Sequence, residues 1–201
     1  MKKSIKRELI EWVFTFIICI IATLIIKSNV FAMPMVIESS MENTFVEGER
    51  VFENKLSYVF NEPKREDIVI IDKYEGSKGI LHNTYTDARA TLNSILGTCE
   101  KRYIIKRVVG IPGDTIDIKE GYVYLNGEKL DESYIKAEGE TYAGNVTLPL
   151  KVPENKVFVL GDNRNVSIDS RDLGLIDYTQ VKSKVLYRIW PLDKMGDVYK
   201  K

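Results

Sequence analysis

Three segments of this 201-residue chain carry side chains able to do chemistry. The first is Glu38-Ser39-Ser40-Met41-Glu42-Asn43-Thr44. A serine hydroxyl is a weak nucleophile until a base takes its proton. The second is Lys106-Arg107-Val108-Val109-Gly110-Ile111-Pro112-Gly113-Asp114, where a lysine ends a strand-like run and an apolar pair leads into a turn. A lysine is a base only when neutral, so its ordinary pKa of about 10.4 must fall by roughly two to three to serve near neutral pH. Burial in an apolar cleft produces a change of that size. The third is the polar loop Gly161 to Gly174, holding Asp162, Arg164, Ser167, Asp169 and Arg171. Pairing of Asp162 and Asp169 with Arg164 and Arg171 would stiffen it. A stiff polar loop can orient a lysine base, as the third member of a triad orients the second. Taken singly, each segment has an ordinary reading: a solvated turn, a surface lysine, a turn-rich loop.

Composition narrows the chemistry further. Lys plus Arg is 29 and Asp plus Glu is 29, a net charge of zero. That balance lacks the basic signature of a nucleic-acid binder. The chain has one histidine, His82, and two cysteines, Cys19 and Cys99, with no CxxC pair. No metal site and no cofactor are expected from such a set. A Ser-His-Asp triad would have to use His82, which sits beside Asn83 and Thr84 and reads as a surface residue. A hydrolase built on Ser40 therefore needs another base, and Cys19 reads as a packing residue within an apolar stretch.

The elements that must position these groups are of two kinds. Lys2, Lys3, Lys6 and Arg7 precede an apolar stretch, Leu9 to Ile26, whose one charge is Glu11. Its length is near the lower limit for crossing a bilayer. The basic flank predicts a cytoplasmic segment at residues 1–8, a membrane anchor at 9–28 and an extracytoplasmic body at 29–201. A cleavable signal peptide ending near Ala32 is the rival reading. The body reads as short strands: Asp67–Ile71, Tyr103–Ile105, Thr115–Ile118, Lys156–Leu160 and Val185–Trp190. Tyr122 to Leu130 reads as a hairpin about Asn126-Gly127, a pair that accepts the positive φ of a type I′ turn. The fold class expected is mainly β: an antiparallel β core with a small β extension at 115–155 and one N-terminal transmembrane helix. Residues 72–101 read as an insertion. Within it a short helix is expected from Asp87, as cap, to Gly97, with Ala88, Leu92, Ile95 and Leu96 facing inward.

The three segments, in this order after a single anchor, resemble the boxes of bacterial type I signal peptidases, the Ser-Lys peptidases of family S26. Ser40-Met41-Glu42-Asn43-Thr44 resembles the nucleophile box, with Asn43 where that box has Pro. Glu66 to Val69, Lys106 to Asp114, Gly161 to Gly174 and Arg188 to Leu192 continue the likeness, which covers most of residues 36–195. The resemblance implies Ser40 as nucleophile and Lys106 as general base. It implies that Ser167 hydrogen-bonds the lysine and that Asp169 and Arg171 hold the site together. Arg107, Asp162 and Arg164 match further box residues with structural roles, and Met41 follows the nucleophile. Glu38 stands where the family has a hydroxyl that donates to the oxyanion, and an ionised carboxylate cannot donate. Asn43 is expected to relax the backbone after the nucleophile.

The activity implied is removal of N-terminal signal peptides from exported preproteins after small residues, at the bacterial cell membrane. The partners implied are preprotein signal peptides and the lipid bilayer, with the secretion translocon as a further one, and no nucleic acid. Two other readings stand beside it: a Ser-Lys self-cleaving regulator, and an inactive or specialised anchored β module.

Overall fold

The computed structural model describes residues 5–97 and 102–200; Lys2, Lys3 and Cys99 lie outside them. The elements in chain order are α1 (Ile5–Asn29), β1 (Phe31–Ala32), β2 (Arg50–Asn54), α2 (Ser57–Phe60), β3 (Ile68–Asp72), α3 (Ile80–Ile95), β4 (Tyr103–Gly110), β5 (Thr115–Lys119), β6 (Tyr122–Leu125), β7 (Glu128–Lys129), β8 (Leu150–Lys151), β9 (Lys156–Leu160), α4 (Ser170–Leu173), β10 (Ile176–Asp177), β11 (Val181–Trp190) and β12 (Gly196–Asp197). They fall into two compact units. One holds α1 and α3, the other residues 32–77 and 102–200.

The second unit is built on antiparallel sheet. Its main sheet runs β1-β2-β11-β3-β4-β9-β10, with β12 paired to β11. The sequence Ile68-Val69-Ile70-Ile71-Asp72 has no polar alternation, and every residue of it is buried. A strand apolar on both faces must be covered on both, and β3 lies inside the sheet between β11 and β4. One cluster joins Val69, Ile71, Ile104, Val108 and Val159. Another joins Val36, Met41, Phe45, Val51, Ile68 and Val185. These two sets include alternate residues of β3, one set per face, as a period of two requires.

A second sheet runs β7-β6-β5-β8. Its hairpin turns at Asn126 (φ 55°) and Gly127 (φ 89°), the positive values a type I′ turn needs. A third apolar cluster, including Val109, Ile116, Val123, Phe158 and Leu160, contains residues of both sheets. Each strand expected from sequence is present, and β4 and β11 are longer than expected.

The α1–α3 unit departs from the sequence reading. α3 begins at Ile80 after Gly79 (φ 101°), with no side-chain cap, so Asp87 is an interior residue rather than the cap. The helix does end where Gly97 takes a positive φ. The residues expected to face inward do not: Leu92, Ile95 and Leu96 are 55%, 77% and 67% exposed. Their spacing marks a genuine apolar stripe, and among the described residues no protein surface covers it. α1 is continuous over 25 residues, about 37 Å at 1.5 Å per residue. Cys19 on it is exposed, not a packing residue.

Phe158 is fully buried in the third cluster. Truncating it to alanine leaves a cavity, and Phe158→Ala is expected to lower stability by about 3–5 kcal/mol. Denaturant titration of the detergent-solubilised chain checks this through the transition midpoint.

Candidate active site

Ser40 sits in one turn of 3₁₀ helix, Ser39–Met41, entered from the extended residue Glu38. The turn is held from below by Met41, which is 1% exposed in the cluster with Val36 and Phe45. Phe45 N–H closes the loop by donating to the Met41 carbonyl at 2.8 Å. Asn43 follows with φ 99°, a conformation closed to proline, whose ring fixes φ near −65°. Its amide donates to the carbonyls of Tyr134 (2.9 Å) and Ile135 (3.2 Å). Asn43 thus pins this turn to a second segment. The expectation that it relaxes the backbone is corrected by these two bonds.

Lys106 lies in β4, opposite Val69 of β3. It shares its strand face with Ile104 and Val108, both buried in the apolar core. It is 1% exposed. Its Nζ donates to Ser40 Oγ at 2.6 Å. Burial pushes the ammonium down to a pKa of about 8, while the carboxylates of Asp169, Glu38 and Asp162 pull the other way. A substantial neutral fraction then exists near physiological pH. In that form the amine can accept the Ser40 proton along the same line. This is the arrangement of a base-activated hydroxyl nucleophile.

Arg107, the next residue, points to the other face of β4. Its guanidinium binds Asp162 through two bonds, 2.9 and 2.7 Å, and stacks on the Tyr134 ring with 4.0 Å to the centroid. Thr44 Oγ1 donates to the same carboxylate at 2.5 Å.

The loop from Gly161 to Gly174 is cross-linked, and only part of the internal pairing expected within it forms. Asp169 and Arg171 do pair, at 2.8 and 2.9 Å. Asp169 also accepts from Gly161 N–H at 3.0 Å. Asp162 pairs with Arg107 rather than with Arg164. Arg164 pairs with the buried Glu132 and donates to Thr141 Oγ1 at 2.9 Å. Glu132 and Thr141 were missed, because neither lies in a segment with a chemical pattern. The expected hydrogen bond between Ser167 and Lys106 is not formed either. Ser167 Oγ is buried without a hydrogen-bond partner. His82 lies on α3, in the unit that does not contain Ser40 and Lys106.

The loop is latched to the nucleophile turn. Asn163 N–H donates to the Ser40 carbonyl at 3.0 Å, and its amide donates to the Ser39 carbonyl at 3.2 Å. Gly161 has to be glycine for this approach. A Cβ there would lie 2.2 Å from Ser167 Oγ and 2.5 Å from the Ser40 carbonyl oxygen.

Comparison with known proteins fits this geometry. The family model for signal peptidase, peptidase S26, matches residues 9–190. The chain belongs to the S26 signal peptidase family. It is 35% identical over 197 residues to signal peptidase I of Bacillus licheniformis, across 94% of this chain and 93% of that one. It is 31% identical over 200 residues to signal peptidase I S of Bacillus subtilis strain 168, across 96% and 95% of the two chains. A solved signal peptidase I from Enterococcus faecalis V583 is 28% identical, covers 62% of this chain and 97% of its own, and superposes with a TM-score of 0.43. S26 enzymes are serine peptidases, so the chain is a hydrolase of that class. Among the described residues no cluster of His, Cys, Asp and Glu could hold a metal ion.

The Gly161 contact generates a test of how the S26 site is held. Gly161→Ala must push Ser167 or the Ser40 carbonyl aside. Misplacement of a nucleophile by about 1 Å can cost roughly 100-fold. Cleavage by Gly161→Ala is expected to fall by about that factor, and assays of kcat beside circular dichroism check it.

Proposed function

We propose that this chain is a membrane-anchored serine endopeptidase that removes N-terminal signal peptides from exported preproteins, with Ser40 as nucleophile and Lys106 as general base. The observation that carries the reading is the 2.6 Å contact between Lys106 Nζ and Ser40 Oγ, made by a lysine buried among Ile104, Val108 and Val69. Neutral Lys106 takes the Ser40 proton as the hydroxyl attacks the scissile carbonyl. The resulting ammonium protonates the leaving amine, and the neutral amine then activates the water that hydrolyses the acyl-enzyme. Asp169, Arg171, Arg107, Asp162, Arg164 and Met41 position these two groups.

Two further features support the substrate class. Residues 33–38 lead into the nucleophile turn, with Met35 bridged to Arg50 and Met33, Met35 and Ile37 exposed by 50%, 49% and 57% on alternate positions. A strand with a free apolar row suits an extended peptide that adds alongside it. Relatives named signal peptidase I match the chain nearly end to end. Small residues before the cut, of the Ala-X-Ala type, are the specificity proposed.

The anchor is α1. It is apolar around its circumference, and long enough to cross a membrane by length and composition. The basic residues before it put the N-terminus in the cytoplasm and residues 29–201 outside a bacterial cell membrane. Enzyme and preprotein then share one surface, which raises their effective concentration.

The reading is tested by cleavage of a preprotein in detergent. Ser40→Ala is expected to lose at least about 10³-fold in rate, and Lys106→Ala about 10²–10⁴-fold. Full activity in Ser40→Ala would sink the proposal.

The lysine also fixes a pH dependence. Its pKa is lowered to about 8, so the basic form gains population as pH rises, and kcat/KM is expected to climb and bend near pH 8. The Glu38 carboxylate holds that pKa up. Glu38→Ser is therefore expected to move the bend to lower pH, and a pH–rate profile on a peptide substrate reads the displacement directly. A bend unmoved by the substitution would show that Glu38 does not act on the base.

A further inference from the structure

The apolar stripe of α3 has no role in the site described. Leu81, Tyr85, Ala88, Leu92 and Ile95 recur at helical spacing and fall within an arc of about 80° at 3.6 residues per turn. Four of them are more than half exposed: Leu81 83%, Tyr85 63%, Leu92 55% and Ile95 77%. His82, Thr86, Arg89 and Asn93 occupy the polar arc beside it. So large a contiguous apolar surface marks a partner.

What that partner is follows from where α3 is tied. Three hydrogen bonds tie it to the last turn of α1. Asn29 Nδ2 donates to Thr84 Oγ1 at 3.0 Å. Asn83 Nδ2 donates to Asn29 Oδ1 at 3.3 Å. Lys27 Nζ donates to Thr91 Oγ1 at 3.4 Å. If α1 spans the bilayer, Lys27 and Asn29 mark its polar exit, and α3 is held at that boundary. The lipid-facing surface of α1 and the stripe of α3 belong to one unit. α3 itself does not span: its 16 residues reach about 24 Å, against a hydrocarbon core of about 30 Å, and Asp87 and Arg89 lie at its middle.

We infer that α3 is an in-plane interfacial helix that docks its Leu81-Tyr85-Leu92-Ile95 face into the outer leaflet beside the exit of α1. Helices with one apolar arc and one polar arc bind bilayers in this way. Tyr85 is the residue type that favours the headgroup level. The docked helix would give the enzyme a second hold on the membrane surface and fix the unit's rotation about the anchor. The inference rests on the reading of α1 as the membrane span.

The test uses the full chain in phosphatidylethanolamine–phosphatidylglycerol vesicles. Cys19 and Cys99 are replaced by alanine, and single nitroxide-labelled cysteines are placed at Leu81, Leu92 and Ile95, at His82, Arg89 and Asn93, and at Ile18 of α1. Collision with lipid-soluble oxygen and with an aqueous nickel chelate is measured at each. Labels on the stripe are expected to show an oxygen-to-nickel ratio about tenfold above those on the polar arc. Equal nickel access on both arcs, with Ile18 in lipid, overturns the interfacial helix and leaves the anchor standing. Nickel access at Ile18 overturns both. Stripe labels shielded from both reagents would mean that protein, such as a second copy of the chain, covers the face, and this also overturns the inference.

Discussion

The site depends on burying one lysine amine beside one serine hydroxyl. Water stabilises an ammonium strongly, so a lysine that is 1% exposed loses its charge more easily. The fall from 10.5 to about 8 corresponds to about 3 kcal/mol of disfavoured charge. Three carboxylates stand near enough to restore that charge. They do not prevail, because desolvation is the larger influence. Asp162 is occupied by Arg107, and Asp169 by Arg171. The two carboxylates are thus held in buried ion pairs that fix the loop around the amine.

The strand under the site makes both arrangements possible at once. Side chains along a strand alternate between faces. Lys106 and Arg107 are consecutive, so β4 sends the amine to Ser40 and the guanidinium to Asp162 from one stretch of backbone. Thr44 then closes the circuit, since it bonds Asp162 only four residues after the nucleophile. A register slip of one residue would exchange the two cations and destroy both networks. Pairing with β3 and β9 on both sides fixes that register.

Much of this was legible in the sequence, and the exceptions share a cause. Apolar runs such as Ile68–Ile71 and the Asn126-Gly127 turn report their own local structure. Lys106 could be singled out because a charged residue ended an apolar run. What sequence could not show was the partner across space. Arg164 was close in sequence to Asp162 and Asp169, yet its partner is Glu132, 32 residues away. The stripe of α3 was visible as a period, but periodicity says which residues share a face and not what covers it. Asn43 read as a loosened proline position, because its positive φ and its two carbonyl partners are tertiary facts.

Those partners point to a segment with no evident pattern, Asp131-Glu132-Ser133-Tyr134-Ile135-Lys136. Glu132 holds Arg164 of the polar loop. The Tyr134 ring lies on Arg107. The Tyr134 and Ile135 carbonyls hold Asn43. Lys136 bonds Glu42 at 2.7 Å, and its N–H donates to the Asp162 carbonyl at 3.0 Å. One six-residue stretch therefore grips the nucleophile turn, the lysine strand and the polar loop together. This explains how the chain tolerates asparagine at position 43. A proline ring could not adopt the φ of 99° found here, so it would strain this turn rather than stiffen it. Two side-chain hydrogen bonds contribute about 0.5–1.5 kcal/mol each. Rigidity built into the turn by a ring needs no neighbour, whereas rigidity supplied by Asn43 exists only while residues 131–136 are in place. The positioning of Ser40 is thereby made conditional on the segment that follows the β6–β7 hairpin.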